Sequence, residues 1–186
     1  YGLCCIANDD EAVKKLYEIK NRPINKPISI CFGSVHQVCK FYECDHTVLN
    51  LLNSELPGSY TFILNMKPNQ IISRYVNVDK KDNIGFRIPE SQLILDVCKQ
   101  IQMPLALTSA NLSGELCGNT INSFEKIWNK IDLIITEESK KSLNTMSSTV
   151  LDLSGKFDKK SFKIIRCGMN CQFIVDKLQQ IGFYQI

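Results

Sequence analysis

EAVKKLYEIKNRPINKPISICF, Glu11 to Phe32, is the stretch on which the reading of this chain turns. Ala12, Val13, Leu16, Tyr17 and Ile19 recur near helical spacing behind Asp9 or Asp10 as an N-cap, so a helix is expected through about Ile19. Residues 28–33 are apolar but for Ser29 and read as a strand. Between them stand Lys20, Arg22 and Lys26, with Pro23 and Pro27 restricting the backbone, and an extended connection is expected. The three cations suit a polyanion such as a triphosphate: arginine offers a planar fork to phosphate oxygens and lysine a mobile point charge. They suit a solvated basic loop equally well, and on this stretch alone both readings stay open.

Outward from it, the pattern alternates without strict order. Residues 1–7 read as a short buried strand. Val35–Phe41 and Thr47–Asn53 read as helices, Leu56-Pro57-Gly58 as a turn, and Tyr60–Met66 as a strand. Residues 67–83 read as a polar loop holding a short strand. Gly85–Ile88, Leu105–Ser109, Leu133–Thr136, Thr149–Leu153 and Phe162–Ile165 are further expected strands. Gln92–Ile101, Phe124–Lys130 and Gln172–Ile181 are expected helices. Glu137–Met146 is polar and expected to be a mobile loop. The sum is one α/β domain with a mixed sheet and no internal repeat.

Composition fits a single globular unit: 186 residues, 44% hydrophobic and 22% charged. The net charge of +3 argues against a general nucleic-acid binder while allowing a local basic cleft. No apolar run approaches the ~20 residues that span a bilayer, and no signal peptide is recognisable. Nine cysteines are many, and odd in number. Cys4, Cys5, Cys31 and Cys98 lie in apolar runs, there is no CxxC pair, and His36 and His46 complete no zinc pattern. Reduced thiols, a reducing compartment and no metal site are the expectation. The opening YGLCCIA has no Met and starts as if inside a strand, which suggests an N-terminal truncation.

PLALTSANLSGE, Pro104 to Glu115, is the second informative stretch. A buried strand runs into Thr108, Ser109, Asn111, Ser113 and Gly114, donors that can cradle phosphate or ribose, or simply build an Asx turn. The pair KxR (Lys20, Arg22) and SxN (Ser109, Asn111) resembles the YrdC-like family. YGL, LPGSYTFIL, GFRIP, SSTVLDLSG and IIRCG follow in the family's order, so the resemblance covers essentially the whole chain. PLALTSANLS and the CFGS at the end of the second strand look closest to animal members.

The resemblance implies a single YrdC-like domain over residues 1–186, a twisted mixed sheet with surrounding helices and a basic concave cleft. It implies a threonylcarbamoyl-AMP synthase, a nucleotidyltransferase making threonylcarbamoyl-AMP and pyrophosphate from L-threonine, bicarbonate or CO₂, and ATP with Mg²⁺. A threonylcarbamoyl-transferase complex would act downstream on tRNA. Lys20 and Arg22 would be catalytic. Arg22, Lys26, Ser109, Asn111, Cys117 and Arg166 would bind ATP, and Cys31, Arg87 and Ser148 would bind threonine. Closure of the Glu137–Met146 loop over the nucleotide is expected. Cytoplasm is the implied compartment, with the mitochondrion as the alternative.

The chain departs from the family pattern in several places. The TDT residues before YGL are absent, Cys31 stands where many microbial relatives have His, and Ser59 and Cys167 replace prolines. Ser147 stands where Gly is usual. Other readings of the same fold are a non-catalytic module binding tRNA or double-stranded RNA, a degenerate paralogue, and a carbamoyl-transfer domain.

Overall fold

The computed structural model describes residues 1–79, 82–115, 118, 120–136, 146–155 and 160–186. Among these, eight strands form one mixed sheet: β1 (Gly2–Ile6), β2 (Ser29–Cys31), β3 (Tyr60–Asn65), β4 (Asn83–Arg87), β5 (Leu105–Ser109), β6 (Thr149–Asp152), β7 (Ser161–Arg166) and β8 (Tyr184–Gln185). Their spatial order is β1-β5-β2-β4-β3-β6-β7-β8. The helices are α1 (Asp10–Ile19), α2 (Val35–Phe41), α3 (His46–Glu55), α4 (Gln92–Ile101) and α5 (Cys171–Gln180), with a 3-10 helix over Ile121–Lys130.

Local sequence sets the helix starts. Asp9, Ser34 and Asp45 each accept a hydrogen bond from the backbone N–H three residues on, at 2.9, 3.2 and 2.7 Å. Each satisfies an amide that the helix leaves without a partner. Asp9→Ala is expected to lower stability by about 1 kcal/mol, read as a lower urea midpoint with an unchanged m-value.

Side chains alternate across the sheet, and the two faces differ. On one face Phe62 and Phe86 are fully buried and meet Phe32 and Tyr42, with ring centroids 4.7 to 6.3 Å apart. The helical face of α1, with Val13, Leu16 and Tyr17, belongs to the same core. The opposite face carries Cys4, Ser29, Cys31, Thr61, Gly85, Arg87 and Ser109 by strand parity and register. A Cβ on Gly85 would lie 3.3 Å from both Ser29 Oγ and Thr61 Cγ2, so these residues share that face. One corner of it is covered by α4, where Cys31, Cys98 and Leu105 form a small separate cluster.

Several expectations are corrected. Residues 20–27 are not extended. Asn21 takes a left-handed conformation with φ +48°, its N–H bonds Glu18 O, and the Arg22 N–H bonds Tyr17 O. This is a Schellman ending, which asparagine tolerates at its left-handed position. Lys26 N–H then bonds Pro23 O and turns the chain toward β2. Leu133–Thr136 is no strand: Leu133, Ile134 and Ile135 are exposed and pair with nothing in the sheet. A short apolar run without a strand partner lacks what holds a strand in place. Among the described residues of 67–83, turns replace the expected short strand. Cys4 is exposed and Cys5 half-buried, because β1 lies at the sheet edge. The reduced-thiol expectation fails at Cys167 and Cys171, which are bonded to each other. Residues 137–145, most of the loop expected to close over a nucleotide, lie outside the described residues.

Candidate functional site

Two clusters on or beside the open face contain the residues singled out from sequence. The first joins the basic turn to the end of β5. Lys20 is only 2% exposed, and its ammonium donates to the backbone carbonyls of Ser109 and Asn111. In return the Ser113 N–H donates to Lys20 O at 2.9 Å. Arg22 is half-buried and folds over its own turn, with Nε donating to Lys26 O at 3.1 Å and Nη2 to Pro27 O at 2.9 Å. Lys26 and Ser109 are exposed. Asn111 Nδ2 donates to Leu112 O and Glu115 O, while Asn111 Oδ1 and Ser113 Oγ are buried without a partner among the described residues. Orphaned buried polar atoms are costly, and these two at a strand end are suited to a ligand's donors. Cys117 lies outside the described residues.

The second cluster gathers at the far end of the central strands. Cys31 and Arg87 are register partners on β2 and β4. Burial first, and then Cys98, push the Cys31 thiol up to about 12, against the opposing charge of Arg87, so Cys31 is a neutral thiol. Arg166, at the end of β7, donates from Nε to Ser148 O at 3.0 Å and from Nη2 to Ser148 Oγ at 2.9 Å. Ser148 Oγ also meets Thr61 Oγ1 at 2.9 Å. Desolvation, then the positive charge of Arg87, hold the Arg166 guanidinium below its ordinary pKa. The Nε of Arg87 is buried and without a partner among the described residues. Two guanidiniums that repel each other, with one N–H unspent, form an anion-binding arrangement.

Sequence reasoning missed Thr61. Alternation along β3 puts it on the open face, and at 3% exposure its hydroxyl is spent on Ser148. The clusters stand at opposite ends of β5, from Leu105 beside Cys31 to Ser109, a distance of roughly 13 Å along the strand. A ligand that engages both is therefore elongated. A surface depression of about 460 Å³ between α1 and the end of the 3-10 helix contains none of these residues. Among the described residues no cluster of His, Cys, Asp or Glu could hold a metal ion. No helix among them is long and apolar enough to cross a membrane.

The profile of the Sua5/yciO/yrdC family, described as "Telomere recombination", matches residues 1–168. The chain belongs to this family. The mouse protein named threonylcarbamoyl-AMP synthase is 32% identical over 186 residues, covering 97% of this chain and 63% of the mouse protein. A putative threonylcarbamoyl-AMP synthase of Methanocaldococcus jannaschii is 34% identical, covering 73% of this chain and 62% of that protein. This chain thus spans less than two thirds of these curated relatives. Among Sua5/yciO/yrdC structures, P. abyssi Sua5 complexed with L-threonine superposes with a TM-score of 0.82 at 25% identity, over 99% of this chain and 52% of that one. E. coli YciO has the same fold, with a TM-score of 0.75 at 23% identity, over 91% of this chain and 79% of that one.

Proposed function

We propose that residues 1–186 form the YrdC-like synthase domain of a threonylcarbamoyl-AMP synthase, a nucleotidyltransferase serving tRNA modification. The observation that carries this reading is the pair Arg87 and Arg166 on the open face, with Arg166 fixed by Ser148 and the Arg87 Nε unspent. The names of the relatives, and the threonine complex of P. abyssi Sua5, support it.

In this reading Arg87 takes the threonine carboxylate, with the Cys31 thiol and the Ser148 hydroxyl lining the amino-acid end. Ser109 and Asn111 hold the nucleotide at the other end, beside Arg22 and Lys26. The threonine amine attacks the bicarbonate carbon, the C–OH bond breaks and water leaves with the amine proton, and an oxygen of the resulting carbamate attacks the α-phosphorus of ATP. The bond from that phosphorus to the bridging oxygen breaks, and pyrophosphate leaves with the electron pair. The reaction moves negative charge between oxygens, so fixed cations contribute more than covalent catalysis. Arg166 faces this developing charge. The described residues supply no carboxylate cage for Mg²⁺, and in this reading the ion arrives with the nucleotide substrate. The product would pass to a threonylcarbamoyl-transferase acting on tRNA.

The test is pyrophosphate release from ATP with and without L-threonine and bicarbonate. The expected result is release that requires both. A folded protein that binds RNA with a steep salt dependence and releases no pyrophosphate would overturn this reading for the RNA-binding one.

A further inference from the structure

We propose that Cys167 and Cys171 form a dithiol–disulfide site that sets the order of the Arg166 loop, and through it the affinity of the neighbouring site; the second step rests on the function proposed above. The two cysteines bracket the connection from β7 to α5. Cys167 directly follows Arg166, Cys171 opens α5, and their Cα atoms are 5.4 Å apart, inside the usual span for bridged cysteines. Cys167 is exposed, so a small redox partner can reach it.

The loop they close is tied to the segment that holds Arg166. Gly168 N–H donates to Thr149 Oγ1 at 3.0 Å, Thr149 Oγ1 donates to Met169 O at 2.8 Å, and Met169 N–H donates to Ser147 O at 3.0 Å. The approach is close enough that a Cβ on Gly168 would lie 2.2 Å from Ser147 O. Ser148, between these anchors, is the residue that Arg166 grips. Beyond the loop, Asn170 takes the left-handed conformation at φ +56° and, like Ser91 before α4, gives its helix no side-chain cap, whereas α1, α2 and α3 are capped. The bridge is thus the covalent tie on a helix start that lacks the usual polar one. Opening it returns conformational freedom to the residues that align Arg166 with Ser148.

The chemistry balances with a low-molecular-weight disulfide such as oxidised glutathione as the oxidant. One cysteine thiolate attacks it and releases one glutathione thiolate, leaving a mixed disulfide. The second cysteine thiolate then attacks that mixed disulfide and releases the other. The two cysteines lose two electrons and two protons, and the glutathione disulfide becomes two thiols. Reduced glutathione reverses both steps.

The test equilibrates the protein in glutathione buffers from fully reducing to fully oxidising. Alkylation and mass spectrometry read the Cys167–Cys171 bridge, hydrogen exchange reads the Gly168 and Met169 amides, and calorimetry reads L-threonine and ATP binding. The expected result is a bridge that forms reversibly and slows both amides by at least about tenfold, with Cys171→Ser showing no redox response. Threonine and ATP are expected to bind more tightly to the bridged form by a similar factor. Absence of a bridge at every glutathione ratio, or equal exchange in both forms, overturns the site. Slowed exchange with equal ligand affinity overturns its coupling to binding. Slowed exchange with no ligand binding in either form leaves the redox site standing and overturns the proposed function instead.

Discussion

Arg166→Ala is expected to lower threonine-dependent pyrophosphate release by at least about a hundredfold while leaving the protein folded, on the scale seen when a fixed transition-state donor is removed. The side chain lies on a half-open face, and its removal empties no core, so the thermal midpoint should shift by only a few degrees. Its two hydrogen bonds to Ser148 fix the guanidinium before any substrate arrives. Preorganisation of this kind acts chiefly on kcat, because the charge it meets develops only as pyrophosphate departs. Arg166→Lys keeps the charge but loses the two-pronged grip on Ser148, and should recover only a small part of the rate. Arg87→Ala should instead raise the KM for threonine, in keeping with a carboxylate contact. A wild-type rate in Arg166→Ala would remove this residue from the mechanism.

Much of this was legible from sequence because it depends on local pattern. Gln92–Ile101 and Leu105–Ser109 have the expected bounds, since one is a strongly amphipathic helix and the other a buried strand between clear breaks. Residue type narrows the α1 cap to Asp9 or Asp10, and the structure gives it to Asp9. What escaped depends on partners distant in the chain. Leu133–Ile135 is apolar enough to be a strand, yet no neighbour in the sheet takes it. β8 is two residues held to β7 and gives almost no periodic signal. The Cys167–Cys171 pair has a spacing of four, which reads as unremarkable until the connection from β7 to α5 brings their Cα atoms to 5.4 Å. Thr61 carries no signal in the sequence beyond its place in a strand, and only the pairing of β3 with β6 brings it to Ser148.

The same distinction decides the second large effect, at Lys20. From sequence, Lys20 is one of three cations that suit either a polyanion or a solvated basic loop, and the family resemblance implies a catalytic role for it. The Schellman ending of α1 instead leaves Lys20 on the last helical turn, pointing inward at 2% exposure. Its ammonium bridges the carbonyls of Ser109 and Asn111, so it holds the S-x-N loop against the basic turn. Lys20→Ala should therefore lower stability by about 3–5 kcal/mol, because it leaves two part-buried carbonyls without their donor and removes a buried side chain from under the turn. Lys20→Met, which keeps the packing but not the ammonium, should lose a large part of the same amount. In both variants ATP affinity should fall through disorder of residues 109–113, visible as faster hydrogen exchange at Ser113, whose N–H is bonded to Lys20 O. A residue that only neutralised phosphate would give the opposite pattern, a loss of turnover with unchanged stability and unchanged exchange. Measuring the urea midpoint of Lys20→Met beside its pyrophosphate release separates the two: a wild-type midpoint with abolished release would return Lys20 to the phosphate, and a lowered midpoint with faster Ser113 exchange assigns it to the loop.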